Sequence, residues 1–192
     1  MRRPFAAFLS LASILAIGAL APACSDPVPP TPRGAWSVSF VDSPPIECSV
    51  QGHNASLGKV ADTDRANSTL VTHGESGAEI ACSVIGSSSF NIDASAYLSG
   101  SILQMVVRGI TSSASPDNPV KGSIGFASPT TVKTYSSNDC NFYFVPGSGE
   151  GIGPGKVWLA FDCPSISAEA STCEIKQGYA IFENCDTGES DE

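Results

Sequence analysis

The sequence predicts an all-β domain: an antiparallel two-sheet sandwich, with a jelly-roll order as one arrangement and a closed barrel as the alternative, stapled by three disulfides. Beyond residue 34, apolar and polar side chains alternate at period two, and no stretch shows helical periodicity. About ten to twelve such runs are separated by Gly, Ser, Pro and Asn clusters, the punctuation of short strands joined by turns. The third observation is the presence of seven cysteines, a framework suited to an oxidising compartment.

Trp36, Val38 and Phe40 alternate with Ser37 and Ser39, and beyond a Pro44-Pro45 turn Ile46, Cys48 and Val50 continue the pattern. Residues 57–61 and 68–72 are short and flanked by polar loops, which suits edge strands. Ile80, Cys82 and Val84, then Phe90, Ile92 and Ala94 after Gly86, read as a hairpin. Leu103, Met105 and Val107 are backed by Ile102 and Val106, so this strand is expected to be central and covered on both sides. A polar loop over 111–119 leads to strands at 122–127 and 130–135, followed by Phe142 and Phe144. After a glycine-punctuated turn at 147–155, Val157, Leu159, Phe161 and Cys163 alternate with Lys156, Trp158, Ala160 and Asp162. Residues 178–182 make the last apolar strand, and 186–192 form an acidic tail expected to be disordered.

The N-terminal segment has a different character. Arg2 and Arg3 precede an apolar run to Leu20, and Ala21-Pro22-Ala23 supplies small residues before Cys24. That is the anatomy of a secretory signal peptide over residues 1–23, too short in its apolar run for a membrane span. Residues 24–33 contain Pro27, Pro29, Pro30 and Pro32 and read as a semi-extended tether, leaving one domain over 34–185.

A cysteine at the cleavage point, followed by a Pro-rich tether, resembles the lipobox of bacterial lipoproteins. The match departs from that family's pattern, which has Leu three positions before the cysteine, where this chain has Ala21. The resemblance implies that Cys24 carries the lipid, a diacylglyceryl group on the thiol and a fatty acyl chain such as palmitate on the new amine. It implies attachment to the bacterial cell envelope, with Ser25 in place of an inner-membrane Asp pointing to the outer membrane. A soluble periplasmic or secreted form is the alternative.

Assigning Cys24 to lipid leaves Cys48, Cys82, Cys140, Cys163, Cys173 and Cys185, an even set for three bridges. Six cysteines allow fifteen pairings. Neighbouring-strand logic favours Cys48 with Cys82, Cys140 with Cys163, and Cys173 with Cys185. No CxxC pair and no cysteine near His53 or His73 offers zinc spacing, so neither a metal site nor a cofactor is expected.

Removing Arg2 and Arg3 with the leader leaves 8 basic against 19 acidic side chains, a net of −11. Such a surface repels phosphate backbones, which argues against nucleic-acid partners. The membrane, through the anchor, and a glycan or envelope protein are the expected partners.

Motifs of catalysis are weak. His73-Gly74-Glu75-Ser76-Gly77 resembles the segment around the reactive serine of chymotrypsin-like proteases, but the domain is too small for that fold and the segment reads as a turn. An acid-base pair would require His53 and His73 to converge near Asp62 or Asp64. Asp62, Asp64 and Asn67 offer oxygen ligands, but Arg65 lies among them and calcium-loop spacing is absent. The GxGxG string within Gly147 to Gly155 opens onto a strand, so it lacks the helix N-terminus of a phosphate loop. The Asn54 and Asn67 sequons read as turn residues. No catalytic residue is assigned, and a hydrolase would need a site without a motif. Trp158, with Tyr135, Tyr143 and Tyr179, is the candidate aromatic platform for sugar rings, with Trp158 and Tyr143 as the lead binding residues. The expected function is a binding or structural role, with a carbohydrate-binding module as one alternative and a secreted hydrolase as the other.

Overall fold

The computed structural model describes residues 29–42, 48–61 and 67–188. Among them the strands are β1 (Arg33–Val41), β2 (His53–Leu57), β3 (Val71–Thr72), β4 (Glu79–Gly86), β5 (Phe90–Leu98), β6 (Ser101–Ile110), β7 (Val120–Ala127), β8 (Tyr135–Tyr143), β9 (Gly151–Gly153), β10 (Lys156–Ala168) and β11 (Ser171–Glu183). A 3-10 turn spans Glu75–Gly77.

The expected antiparallel all-β class is present. Hydrogen bonding follows one path of nine strands, β2-β1-β11-β10-β8-β7-β6-β5-β4, with β3 attached to β1 and β9 to β10. It does not break into two separate sheets. The sheet curls until its β4 end meets the chain emerging from β11. There Val84 N–H donates to the Asp186 carbonyl at 2.8 Å, Asp186 N–H to Cys82 at 2.9 Å, and Gly155 N–H to Val84 at 3.2 Å. A disulfide between Cys82 and Cys185 locks the same junction. An edge strand left open would template pairing with other chains, and this strap removes part of that edge.

Curling puts one face inside. Trp36 and Phe40 of β1 cross the interior to Phe126 of β7, with ring centroids 6.1 and 5.4 Å apart, and Phe40 meets Tyr135 of β8 at 5.2 Å. Phe142 and Phe161 stack at 5.8 Å. Leu103, Met105, Val107, Leu159, Ala180 and Phe182 are among the other residues of this core. Strand alternation produces it directly, because every second residue of each strand faces inward.

Three sequence expectations are corrected by non-local packing. The bridges are Cys48–Cys173, Cys82–Cys185 and Cys140–Cys163, so one expected pair forms and two are exchanged. The exchange follows from the curl: it places β4 beside the exit of β11, and residue 48 beside β11 itself. The first residue of the acidic tail is tied to the sheet, because Asp186 bridges to Ser83 and its N–H donates to the Cys82 carbonyl. Strand boundaries also move. Residues 48–50 form no strand, the edge strand expected at 57–61 lies at 53–57, and 130–134 form a turn and an irregular run.

That last turn is tightly specified. Ser128 Oγ accepts from Thr130 and Thr131 N–H at 3.2 Å each, and Thr131 Oγ1 accepts from Ser128 N–H at 2.8 Å. The result holds Val132 at φ 60 with 85% of its surface exposed. Positive φ in a β-branched residue is strained, so the surrounding bonds must over-determine it.

A candidate binding face

Strand register decides which side chains share the outer face. Opposite Tyr179 on β11 lie Ser37 of β1 on one side and Ala160 of β10 on the other, and Ala160 in turn faces Tyr143 of β8. Two tyrosines therefore flank a single alanine, their backbones two strand spacings or ~10 Å apart. Along β10 the next outward position is Asp162, opposite Asn141, and the preceding one is Trp158, opposite Ile181.

Polar groups order this face. Asn141 Nδ2 donates to Asp162 Oδ2 at 2.8 Å, and Gln177 Nε2 donates to the Tyr179 hydroxyl. Tyr143 is half-buried. Burial first, then the charges of Asp162 and Tyr179, hydrogen bonding to Asp162 and the charge of Glu150 push its phenol up to about 12. The phenol therefore keeps its proton to higher pH than an ordinary tyrosine.

Trp158 behaves differently from the sequence expectation. The alternation places it on the outer face, opposite in direction to Leu159 and Phe161, as expected, but only 3% of its surface is exposed. The chain between β8 and β9 folds back over it, close enough that a side-chain carbon on Gly149 would sit 3.6 Å from the indole. Trp158 is thus no open stacking platform. Tyr135 is corrected as well: it is 2% exposed in the core, and its hydroxyl donates to Ser171 Oγ at 3.0 Å. Of the four expected platform aromatics, Tyr143 and Tyr179 face outward together and Trp158 lies beneath the adjoining loop.

The covering loop is compact. Glu150 Oε2 accepts the Val145 N–H at 2.6 Å, Ser148 Oγ donates to the Val145 carbonyl at 2.7 Å, and Glu150 N–H donates to Ser148 Oγ at 3.2 Å. Burial raises the Glu150 carboxyl above its ordinary range, and the Val145 N–H opposes part of that rise. Beside the loop is a recess of ≈ 230 Å³ lined by Gly149, Gly151, Ile152, Lys156, Trp158 and Glu183, among others. Trp158 Nε1 and Glu150 Oε1 are both buried and have no hydrogen-bond partner among the described residues. The GxGxG string serves as this loop and the β9–β10 hairpin, with no helix behind it.

The histidines do not come together. His53 pairs with Phe40 and Thr72 with Arg33, so His53 and the His73 turn lie at opposite ends of β1, ~23 Å apart by strand rise. The His53 ring contacts the Gln51 carbonyl at 2.9 Å and Ser128 Oγ at 2.8 Å. Ser128 is 3% exposed, and its oxygen already accepts two backbone amides, so this Ser–His contact holds a turn. His73 accepts the Ile80 N–H at 3.0 Å, and Ser76 sits in the 3-10 turn between β3 and β4. Asp62 and Asp64 lie outside the described residues, as do Arg2, Arg3 and Cys24. Among the described residues, no group of three or more His, Cys, Asp or Glu is placed to hold a metal ion, and no helix is long and apolar enough to cross a membrane.

Sequence reading did not single out Asp162, Asn141, Glu150 or Gln177. Asp162 was reachable, since it continues the outward series from Trp158 and Ala160. Asn141 and Gln177 required the register of β8 and β11. Glu150, a lone acid among glycines, gave a signal only in composition. No protein-family model, no curated protein and no solved structure matches the chain.

Proposed function

We propose that this chain is an exported lipoprotein of the bacterial cell envelope, anchored through Cys24, whose β domain acts by binding at its outer face rather than by catalysis. The observation that carries the reading is the complete use of the six later cysteines in three bridges, which leaves Cys24 as the odd thiol. Disulfides of this density fit an oxidising compartment, and an odd cysteine at the end of a signal peptide fits acylation. Two or more acyl chains meet the requirement for stable anchoring, and Ser25 favours the outer membrane.

We read the curled sheet as sandwich-like, with β1 and β2 packed across the interior on β7 and β8. Such a scaffold leaves the outer face of β8, β10 and β11 for a partner. Expression of the wild type should give globomycin-sensitive processing and partition into detergent, both absent in Cys24→Ala. A wild type that is processed without globomycin sensitivity and stays in the aqueous phase would overturn the anchor.

A further inference from the structure

We infer that the outer face of β5, β6 and β7 is where two copies of this chain meet side by side on one membrane, about a two-fold axis running along β6. The membrane part of this rests on the reading that Cys24 is anchored.

The sequence marks β6 for cover on both faces, and the fold supplies it on one. Leu103, Met105 and Val107 are buried in the core, whereas Ile102 and Val106 on the reverse are partly exposed and Gln104 between them is exposed. Register extends this reverse face in rows. Ile102 lies between Tyr97 of β5 and Ala127 of β7, Gln104 between Ser95 and Gly125, and Val106 between Asp93 and Ser123. Tyr97 is 39% exposed, an uncommon setting for a large ring. Asp93 is the one charge among these residues, and Arg108 stands 3.8 Å from its carboxylate.

Charge and symmetry point to a second copy as the occupant. The mature chain carries a net charge of −11, so copies repel, and they do so least where a face is nearly uncharged. A two-fold axis along β6 sets β6 on β6 and exchanges β5 with β7. Tyr97 then faces the partner's Ala127, Ser95 faces the partner's Gly125, and Asp93 faces the partner's Ser123 instead of a second carboxylate. Large side chains meet small ones, and the acid avoids its own copy.

The same rotation keeps both tethers at one end. β1 starts at Arg33 beside Glu183, where Lys156 opens β10, and turning the molecule about its strand direction leaves that end in place. Five residues join Cys24 to Pro29, a reach of at most ~18 Å, so two anchored copies present this flank at nearly one height above the bilayer. Counting the flanking strands β4 and β8, the face measures about 25 Å by 20 Å, ~500 Å² per copy, below the ~800 Å² of a standard interface. Contact of that size is weak in dilute solution and holds where a shared membrane raises the effective concentration.

The test places a photo-crosslinking residue at position 104 of the full-length protein in a bacterial host. Irradiated cells should give a membrane-bound adduct of twice the monomer mass, with peptides of this chain alone. Ser95→Glu, at an outward and already polar position, and Ile102→Asp should each cut that adduct about tenfold by placing an unpaired carboxylate in the contact. The same crosslinker at position 177, on the outer face of β11, should give none.

The inference is overturned if a membrane-bound wild type gives no doubled adduct, if position 177 gives as much, if the adduct survives both substitutions, or if position 104 captures only a different protein. A soluble wild type that still gives an adduct sensitive to Ser95→Glu removes the anchor and keeps the face. A lipid-anchored wild type that gives none removes the face and keeps the anchor.

Discussion

Removing the Cys82–Cys185 bridge perturbs the junction that closes the sheet. In Cys82→Ala/Cys185→Ala the direct loop freed is 103 residues, but the other bridges shorten it. With Cys48–Cys173 intact, the unfolded chain connects the two positions through 34 residues from Cys48 to Cys82 and 12 from Cys173 to Cys185, about 46 in all. Chain entropy for a loop of that size is ~4 kcal/mol at 25 °C. The Cys140–Cys163 bridge closes 23 residues between neighbouring strands, worth ~3.4 kcal/mol by the same relation. For a domain of this size, ~4 kcal/mol lowers Tm by ~8–16 °C.

Hydrogen exchange locates the effect. The Val84 and Asp186 amides, bonded across the closure, should lose protection in the Cys82/Cys185 variant and keep it in Cys140→Ala/Cys163→Ala, measured at a temperature where both remain folded. Unchanged Tm in the first variant, or equal loss of protection at Val84 and Asp186 in both, would refute the assignment of that bridge to sheet closure.

Other substitutions test the packing and the electrostatics. At Gly178 a Cβ would meet the Phe161 ring at 2.2 Å, so Gly178→Ala should cost ~2–3 kcal/mol in chemical denaturation by displacing Phe161 from Phe142. Val132→Gly removes the positive-φ penalty at an exposed site and should gain ~0.5–1 kcal/mol in the same assay. Tyr143, raised to about 12 from 10.0, holds its proton more tightly folded than unfolded, so stability should fall as pH rises from 10 towards 12. In Asp162→Asn the phenolate absorbance of Tyr143 should appear at lower pH, because the second-largest cause of the rise is removed.

Local alternation made much of the fold legible. Val157, Leu159 and Phe161 point inward and Trp158, Ala160 and Asp162 outward, as period two requires, and the β4–β5 hairpin around Gly86 follows the same logic. The full length of β11 was hidden because its register shifts between Ile175 and Gly178, and a bulge interrupts the alternation that would have joined Cys173 and Ile175 to Ala180 and Phe182. Of the long-range contacts, the Cys140–Cys163 bridge between neighbouring strands was legible, while those that depend on the curl were not. Nothing near Cys82 announces Cys185, and nothing near Trp158 announces the loop at Gly149, since both depend on how the sheet curls. For the same reason the face around Tyr143 was half visible: its aromatics were named, while Asp162, Asn141 and Glu150 required register and loop placement.

Mass spectrometry of the membrane-extracted protein, alkylated without reduction, addresses the lipoprotein assignment most directly. The N-terminal peptide should begin at Cys24 and carry the mass of a diacylglyceryl thioether, with none of Cys48, Cys82, Cys140, Cys163, Cys173 or Cys185 alkylated. An unmodified, alkylated Cys24 thiol would contradict the anchor, and alkylation of any of the other six would contradict the three-bridge domain.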